Sequence, residues 1–251
     1  MERLRTTNHT DDTNQAEGHC FRVIRGSVRR PQIRYNQKNC SDIKSGGGDK
    51  GKNMEKETFS DYDITKAMAF LNLSHPLKWD IPLNAVPPSD FLTVGLREAE
   101  RQVIIGSNEW EQRLFMELIF LEALRGRNLK MWQKKQIDGG ESPFRGKVDF
   151  AFTPYHIAFK SPYLILSEAK KENFEQGWGQ CLMAMKACQM MNEKEGHKFD
   201  IYGIVSTGMF WEFGKYATDC RFWKTGGYTL TQPDIILGIL DYMFTECEKR
   251  I

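Results

Sequence analysis

The sequence predicts an α/β domain in which a mixed central sheet is flanked by helices, and three observations carry that prediction. In the segment Gly146 to Phe152, the residues Val148, Phe150 and Phe152 recur at period two with Asp149 opposite them, the alternation of a half-buried strand. The run Tyr163-Leu164-Ile165-Leu166-Ser167 is apolar on both faces before it turns charged, which suits a strand at the centre of a sheet. Segments with helical spacing of apolar residues surround these two, over 108–125, from Phe174 to about Asn192, and over 232–249.

The elements follow in chain order. Residues 1–57 hold few large apolar side chains but include Arg29-Arg30 and the polar stretch Lys44 to Lys52. Such a composition cannot offset the entropy of ordering, so a disordered polar and basic arm is expected there, with the folded domain in 58–251. Within that domain, 58–107 reads as a helical lead-in. Pro76, Pro82, Pro87 and Pro88 interrupt helix signals at Tyr62 to Leu71 and Asp90 to Val103, and Pro87-Pro88-Ser89-Asp90 is a helix start. Ser107 is the expected N-cap of the next helix, along which Glu111, Leu114, Phe115, Leu118 and Leu121 share a stripe. The segment Thr153 to Pro162 is read as the turn between two antiparallel strands. In the helix after Lys170, Met183, Met185, Met190 and Met191 are expected to fill core, and Cys181 and Cys188 to act as small core residues. Asp200 to Thr207 is a strand and Gly208 marks a hairpin. Trp211, Phe213 and Tyr216 beyond it either cap the sheet or offer a stacking surface for bases. The last helix has Pro233 near its first turn and repeats Ile235, Ile236, Ile239, Leu240 and Met243.

Composition narrows the function classes. With 251 residues, 40% hydrophobic content and no long charge-free apolar stretch, the chain buries a substantial core and does not cross a membrane. Its start is too polar for a signal peptide, so a cytoplasmic location is expected. Six cysteines form no CxxC pair and no Cys/His spacing of a zinc module, and Gly46-Gly47-Gly48 follows no strand that would make it a phosphate loop. Residues 1–57 carry 12 Lys and Arg against 8 Asp and Glu, leaving 23 against 25 in the rest. The expected domain is therefore slightly acidic. Nucleic-acid contact would need a local patch, for which Lys130, Lys134, Lys135, Arg145 and Lys147 are the candidates, although they suit a solvated sheet edge equally well.

The chemistry concentrates on Asp149 and on Glu168-Ala169-Lys170. Period two puts Glu168 and Lys170 on one face of their strand, and an antiparallel turn before it brings Asp149 to the same sheet edge. Two carboxylates and an amine meeting there are costly to bury unless paired, and a divalent cation resolves that cost. Mg²⁺ or Mn²⁺ takes oxygen ligands and keeps several waters, so Asp149, Glu168 and the carbonyl of Ala169 suffice as protein ligands. Lys170 is expected to orient or deprotonate the attacking water and to offset charge on a phosphate.

These residues resemble the D…ExK signature of the PD-(D/E)XK nucleases, which have the restriction-endonuclease-like fold. The stretch from about Asn108 onward is similar to a family of largely uncharacterised proteins in that superfamily, many from cyanobacteria. The similarity rests on the blocks Leu166 to Asn173, Gly177-Trp178-Gly179-Gln180-Cys181, Asn192 to Gly196 and Ile201 to Gly208. It implies a restriction-endonuclease-like core and metal-dependent hydrolysis of phosphodiester bonds, with DNA the expected substrate. It also implies that a glutamate near the start of the preceding helix supports the metal, a role carried to Glu111 with Glu117 as alternative. It implies too that a glutamine of the following helix positions substrate, a role carried to Gln180 ahead of Gln176. The rival reading is a catalytically inactive scaffold or binding protein that keeps the fold. Oligomeric state is left open, a homodimer included.

Overall fold

The structure is a computed structural model that describes residues 57–103, 109–138, 144–170 and 173–251. The expected arm, apart from Glu57, lies outside the described residues, as does the N-cap candidate Ser107. Among the described residues the elements run β1 (Glu57–Thr58), α1 (Ile64–Phe70), β2 (Leu77–Lys78), α2 (Asp90–Gln102), α3 (Glu109–Ala123), β3 (Leu129–Asp138), β4 (Phe144–Pro154), β5 (Ile165–Ala169), α4 (Phe174–Lys194), β6 (Ile201–Ser206), β7 (Phe210–Tyr216), β8 (Phe222–Lys224), β9 (Tyr228–Thr229) and α5 (Pro233–Glu248), with a 3₁₀ turn at Phe59–Asp61.

Local chemistry sets the helix starts. Asp63, Ser89 and Asn173 each accept a hydrogen bond from the main-chain amide three residues on, at 2.8 Å for Lys66, 3.4 Å for Leu92 and 2.9 Å for Gln176, satisfying donors the helix itself leaves open. Pro233 occupies the first turn of α5, where no main-chain donor is needed. Gly208 turns β6 into β7 with φ of +81°, a region that only glycine enters without cost.

The sheet is mixed, in the order β1-β4-β5-β6-β7-β8-β2, with β3 paired to β4 and β9 to β7. Phe150 faces Ser167 across the antiparallel pair β4 and β5, so the segment between them is the turn that the sequence predicts. β5 and β6 are parallel, with α4 as the crossover between them. Two apolar clusters sandwich the sheet. One joins α2, α3 and α5 to Phe150, Phe152, Ile165, Tyr202, Ile204, Trp211 and Phe213. The other joins α1 and α4 to Ile137, Phe144, Val148, Leu166, Val205 and Tyr216. An α/β domain with a mixed sheet flanked by helices is therefore what the chain forms. No helix among the described residues is long and apolar enough to cross a membrane.

Three expectations need correction. β3 is a full strand where the sequence suggests no more than a solvated sheet edge for its lysines, and it pairs with β4 from Leu129↔Pro154 to Asp138↔Arg145. Of the two readings of Trp211, Phe213 and Tyr216, the stacking surface is the one that fails, because they are at most 1% exposed and build core. Val148 does not share a face with Phe150 and Phe152. It packs in the α4 cluster while the two phenylalanines pack under α3 and α5.

The last correction has a physical origin. In β3, Leu129 and Met131 pack on the α3 side whereas Ile137 packs on the α4 side. Both strands thus exchange faces between Gln133↔Phe150 and Lys135↔Val148, the interval in which Lys134 and Asp149 drop out of the ladder register. Lys134 has φ of +48°, and that rotation carries the pleat through half a turn while the residue count of the two strands stays in step. Asp149 sits at the crossing point.

Candidate active site

The face exchange decides what Asp149 meets. Its Oδ2 accepts a hydrogen bond from the Ala169 main-chain amide at 2.9 Å, which fastens the carboxylate at the Glu168–Ala169 peptide. Its Oδ1 accepts from the guanidinium of Arg113 on α3, and a second nitrogen of Arg113 donates to the Asp149 carbonyl at 3.4 Å. The Arg113 side chain is 6% exposed and the Asp149 side chain 23%, so this is a largely desolvated ion pair. The guanidinium also lies 4.7 Å from the centroid of the Phe150 ring.

Glu168 follows the β5 alternation onto the α4 side, since Ile165 and Ala169 belong to the other face. It is 3% exposed. Its charge is felt by Cys181 on α4, whose thiol is pushed well above the ordinary thiol range by burial first and by Glu168 second. Lys170 turns to the same side. A methyl group placed on Gly177 would lie 2.9 Å from Lys170 Cγ and 2.7 Å from Val205 Cγ1, so the lysine stem crosses α4 where that helix has no side chain. The main chain of Lys170 is held by its amide donating to Ser206 at 2.8 Å. Gln112 of α3 clamps the same point, its side-chain amide donating to the carbonyls of Lys170 at 3.1 Å and Thr207 at 2.9 Å.

Asp149 is thus fastened to the β5 main chain at Ala169 with its charge met by Arg113 from the α3 side, whereas Glu168 and Lys170 turn to the α4 side of β5, and Glu111 and Gln180 sit on α3 and α4. The buried face of α3 carries Gln112, Arg113, Phe115, Met116, Ile119 and Phe120, whereas Leu114 is 38% and Leu121 48% exposed. The expected stripe is rotated by about one residue. The side chains that reach the motif strands from α3 are therefore those of Gln112 and Arg113, and Glu111 is half-buried one step before them. Sequence reasoning misses this polar pair, although its position at the head of the stripe Met116, Ile119 and Phe120 points it inward.

Gln180 lines a cleft of about 640 Å³ together with Ser60, Gln136, Asp138, Arg145 and Lys147, beside the first half of β4. Gln176, the alternative to Gln180, is engaged elsewhere, its amide donating to the carbonyls of Ser60 at 2.8 Å and Tyr62 at 3.2 Å. That side chain closes the turn before α1 and is spent on structure.

The donor set is oxygen only, which suits a hard cation such as Mg²⁺ or Mn²⁺ better than a thiolate-seeking metal. Among the described residues no three or more His, Cys, Asp or Glu side chains gather as a ready metal cage. The motif names Asp149, Glu168 and the Ala169 carbonyl as candidate oxygen ligands, and Arg113 already holds one oxygen of Asp149.

The sequence blocks around the motif also have packing roles. The indole nitrogen of Trp178 donates to Glu212 at 2.5 Å, and Gly179 lets α4 touch the main chain of Asp63. The side chain of Asn192 pairs with both the amide and the carbonyl of Tyr163, at 2.9 and 2.7 Å. No protein-family model matches the chain, and no curated protein matches it either.

Proposed function

We propose that this chain is a metal-dependent hydrolase of nucleic-acid phosphodiester bonds, built on a restriction-endonuclease-like core, with DNA as the first substrate to test. The observation that carries the reading is the bond from the Ala169 amide to Asp149 Oδ2 at 2.9 Å, which sets one acid of the motif against the strand that bears Glu168 and Lys170.

In this reading Asp149, Glu168 and the Ala169 carbonyl hold Mg²⁺ or Mn²⁺, and Glu111 adds a carboxylate from the start of α3. The bound ion would lower the pKa of a water and stabilise charge on the leaving oxygen. The remaining work belongs to the protein. Lys170, its stem fixed against Gly177 and its main chain against Ser206, would orient the attacking water and receive its proton. Gln180, in the cleft with Arg145 and Lys147, would position the substrate backbone.

The test is cleavage of plasmid and oligonucleotides with added Mg²⁺ or Mn²⁺ by the wild type, Asp149→Ala and Lys170→Ala. Activity in the wild type that both substitutions abolish is expected, and equal activity in all three would end the assignment.

A second reading, a non-catalytic binding protein, is favoured by one observation. The ion pair with Arg113 gives Asp149 a purely structural reason to be present. Calorimetric titration with Mn²⁺ separates the two, because a scaffold shows no binding that depends on Asp149 and Glu168.

A further inference from the structure

Beside the candidate site lies a surface whose charge differs from that of the domain as a whole. The segment Leu129 to Ile137 contains Lys130, Lys134 and Lys135 and no acid, and Phe150 to Ser167 contains His156 and Lys160 and no acid. The structure joins them. Lys130 Nζ donates to the His156 carbonyl at 3.5 Å, and the rings of Trp132 and Phe159 lie 5.6 Å apart. The two lysines are threaded among aromatic planes, Lys130 at 4.2 Å from the Trp132 centroid and 5.6 Å from that of Tyr155, Lys135 at 5.1 Å from Trp132 and 5.9 Å from Phe159. The Trp132 indole is locked in place by donating to Thr153 Oγ1 at 2.9 Å. Glu195, which reaches the β4–β5 loop, is engaged by the Ser161 hydroxyl.

The surface is open and sits next to the site. Tyr155 is 64% and Ile157 98% exposed, and they line a shallow cleft with His156, Ala158 and Lys160. β3 pairs only with β4 among the described residues, so its far edge is unpaired among them. Along β3 the basic run ends at Lys134 and Lys135, and the ladder pairs Gln133↔Phe150 and Lys135↔Val148 put that end level with Asp149.

From this arrangement we infer that β3 and the β4–β5 loop form a binding track for single-stranded polynucleotide, leading to Asp149. Ammonium groups interleaved with ring planes match phosphates alternating with splayed bases, and base stacking of this kind tolerates any sequence. A duplex hides its base faces and would leave the rings unused. The inference rests on the proposed hydrolysis for the purpose of the track, but not for its binding.

The experiment is fluorescence anisotropy of the full chain with labelled oligothymidylate, oligouridylate and a duplex, in EDTA so that no metal-dependent cleavage occurs. The single strands should bind more tightly than the duplex, with the thymidylate and uridylate arms reporting any sugar preference. Lys130→Glu with Lys135→Glu should weaken binding at least tenfold and lower the slope of log affinity against log salt by about 1.4, at about 0.7 for each phosphate no longer neutralised. Tyr155→Ala, an exposed position, should weaken binding about 5-fold to 100-fold without altering thermal unfolding. Lys66→Glu, an exposed charge reversal on α1, should change little.

Absence of single-strand binding, preference for duplex, or equal affinity in the β3 and Lys66 variants would overturn the track. Equal affinity would leave the lysines as guards of an unpaired strand edge. A chain that binds single strands by these residues but never cleaves keeps this inference and loses the proposed hydrolysis. One that cleaves unchanged in the β3 variants does the reverse.

Discussion

Arg113 and Asp149 are joined twice, through the carboxylate and through the aspartate's own carbonyl, across the join between α3 and β4. The guanidinium is almost fully buried, so removing either charge strands the other. Arg113→Ala is expected to cost about 2–4 kcal/mol, the range for breaking a desolvated pair reduced for the partial exposure of Asp149. Urea unfolding measures it. In a double-mutant cycle, Asp149→Asn added to Arg113→Ala should cost much less than Asp149→Asn alone, and additive costs would show that the pair is not coupled.

The face exchange in β3 depends on Lys134 holding φ of +48°. Lys134→Val improves strand propensity on paper yet places a β-branched side chain in the left-handed region. It should destabilise the fold by about 1–2 kcal/mol, against at most a few tenths for Lys134→Asn, which tolerates that region. A more stable valine variant in thermal unfolding would contradict the geometry.

Two glycines of α4 should respond unequally to alanine. At Gly177 the added methyl meets Val205 Cγ1 and the Lys170 stem at Cγ, which are side-chain rather than backbone atoms. At Gly179 it comes within 2.5 Å of Asp63 Cα, a backbone atom. Gly179→Ala should therefore be the more damaging, by about 1–3 kcal/mol. Gly177→Ala should leave the fold intact while displacing Lys170, so under the proposed function it lowers turnover more than stability. Circular dichroism with the cleavage assay separates these outcomes.

The alkaline limb of stability has a defined source. Burial pushes the Cys247 thiol from its ordinary 9.0 up to about 12, and Cys188 is shifted in the same direction by the same cause. A group raised in the folded state contributes fully below its unfolded value and loses that contribution as pH climbs above it. Stability should fall with pH from about 9 toward about 12, because the unfolded chain releases these protons first. The urea midpoint at neutral pH and at about pH 10.5 measures the fall. Cys247→Ala should show a smaller drop between the two than the wild type, and an equal drop would remove Cys247 as a source.

The local signals in the chain were enough for most elements and for one half of the candidate site. Period two in Phe150 and Phe152, helical spacing in 174–192 and 232–249, and the helix start at Ser89 depend on neighbours in sequence. They appear in the structure within a few residues of where the letters put them. Glu168 and Lys170 are two residues apart on one strand, so their shared side also follows from spacing alone. The partners of Asp149 do not. Its strand exchanges faces because of a left-handed residue on a different strand, and its cation comes from a helix 36 residues earlier. Periodicity reports which side of its own element a residue occupies. Which element then lies across from it, and at what rotation, is fixed by how α3 and β3 pack on β4, and that is why Arg113 and the Lys130, Trp132 and Phe159 surface emerged only from the tertiary structure.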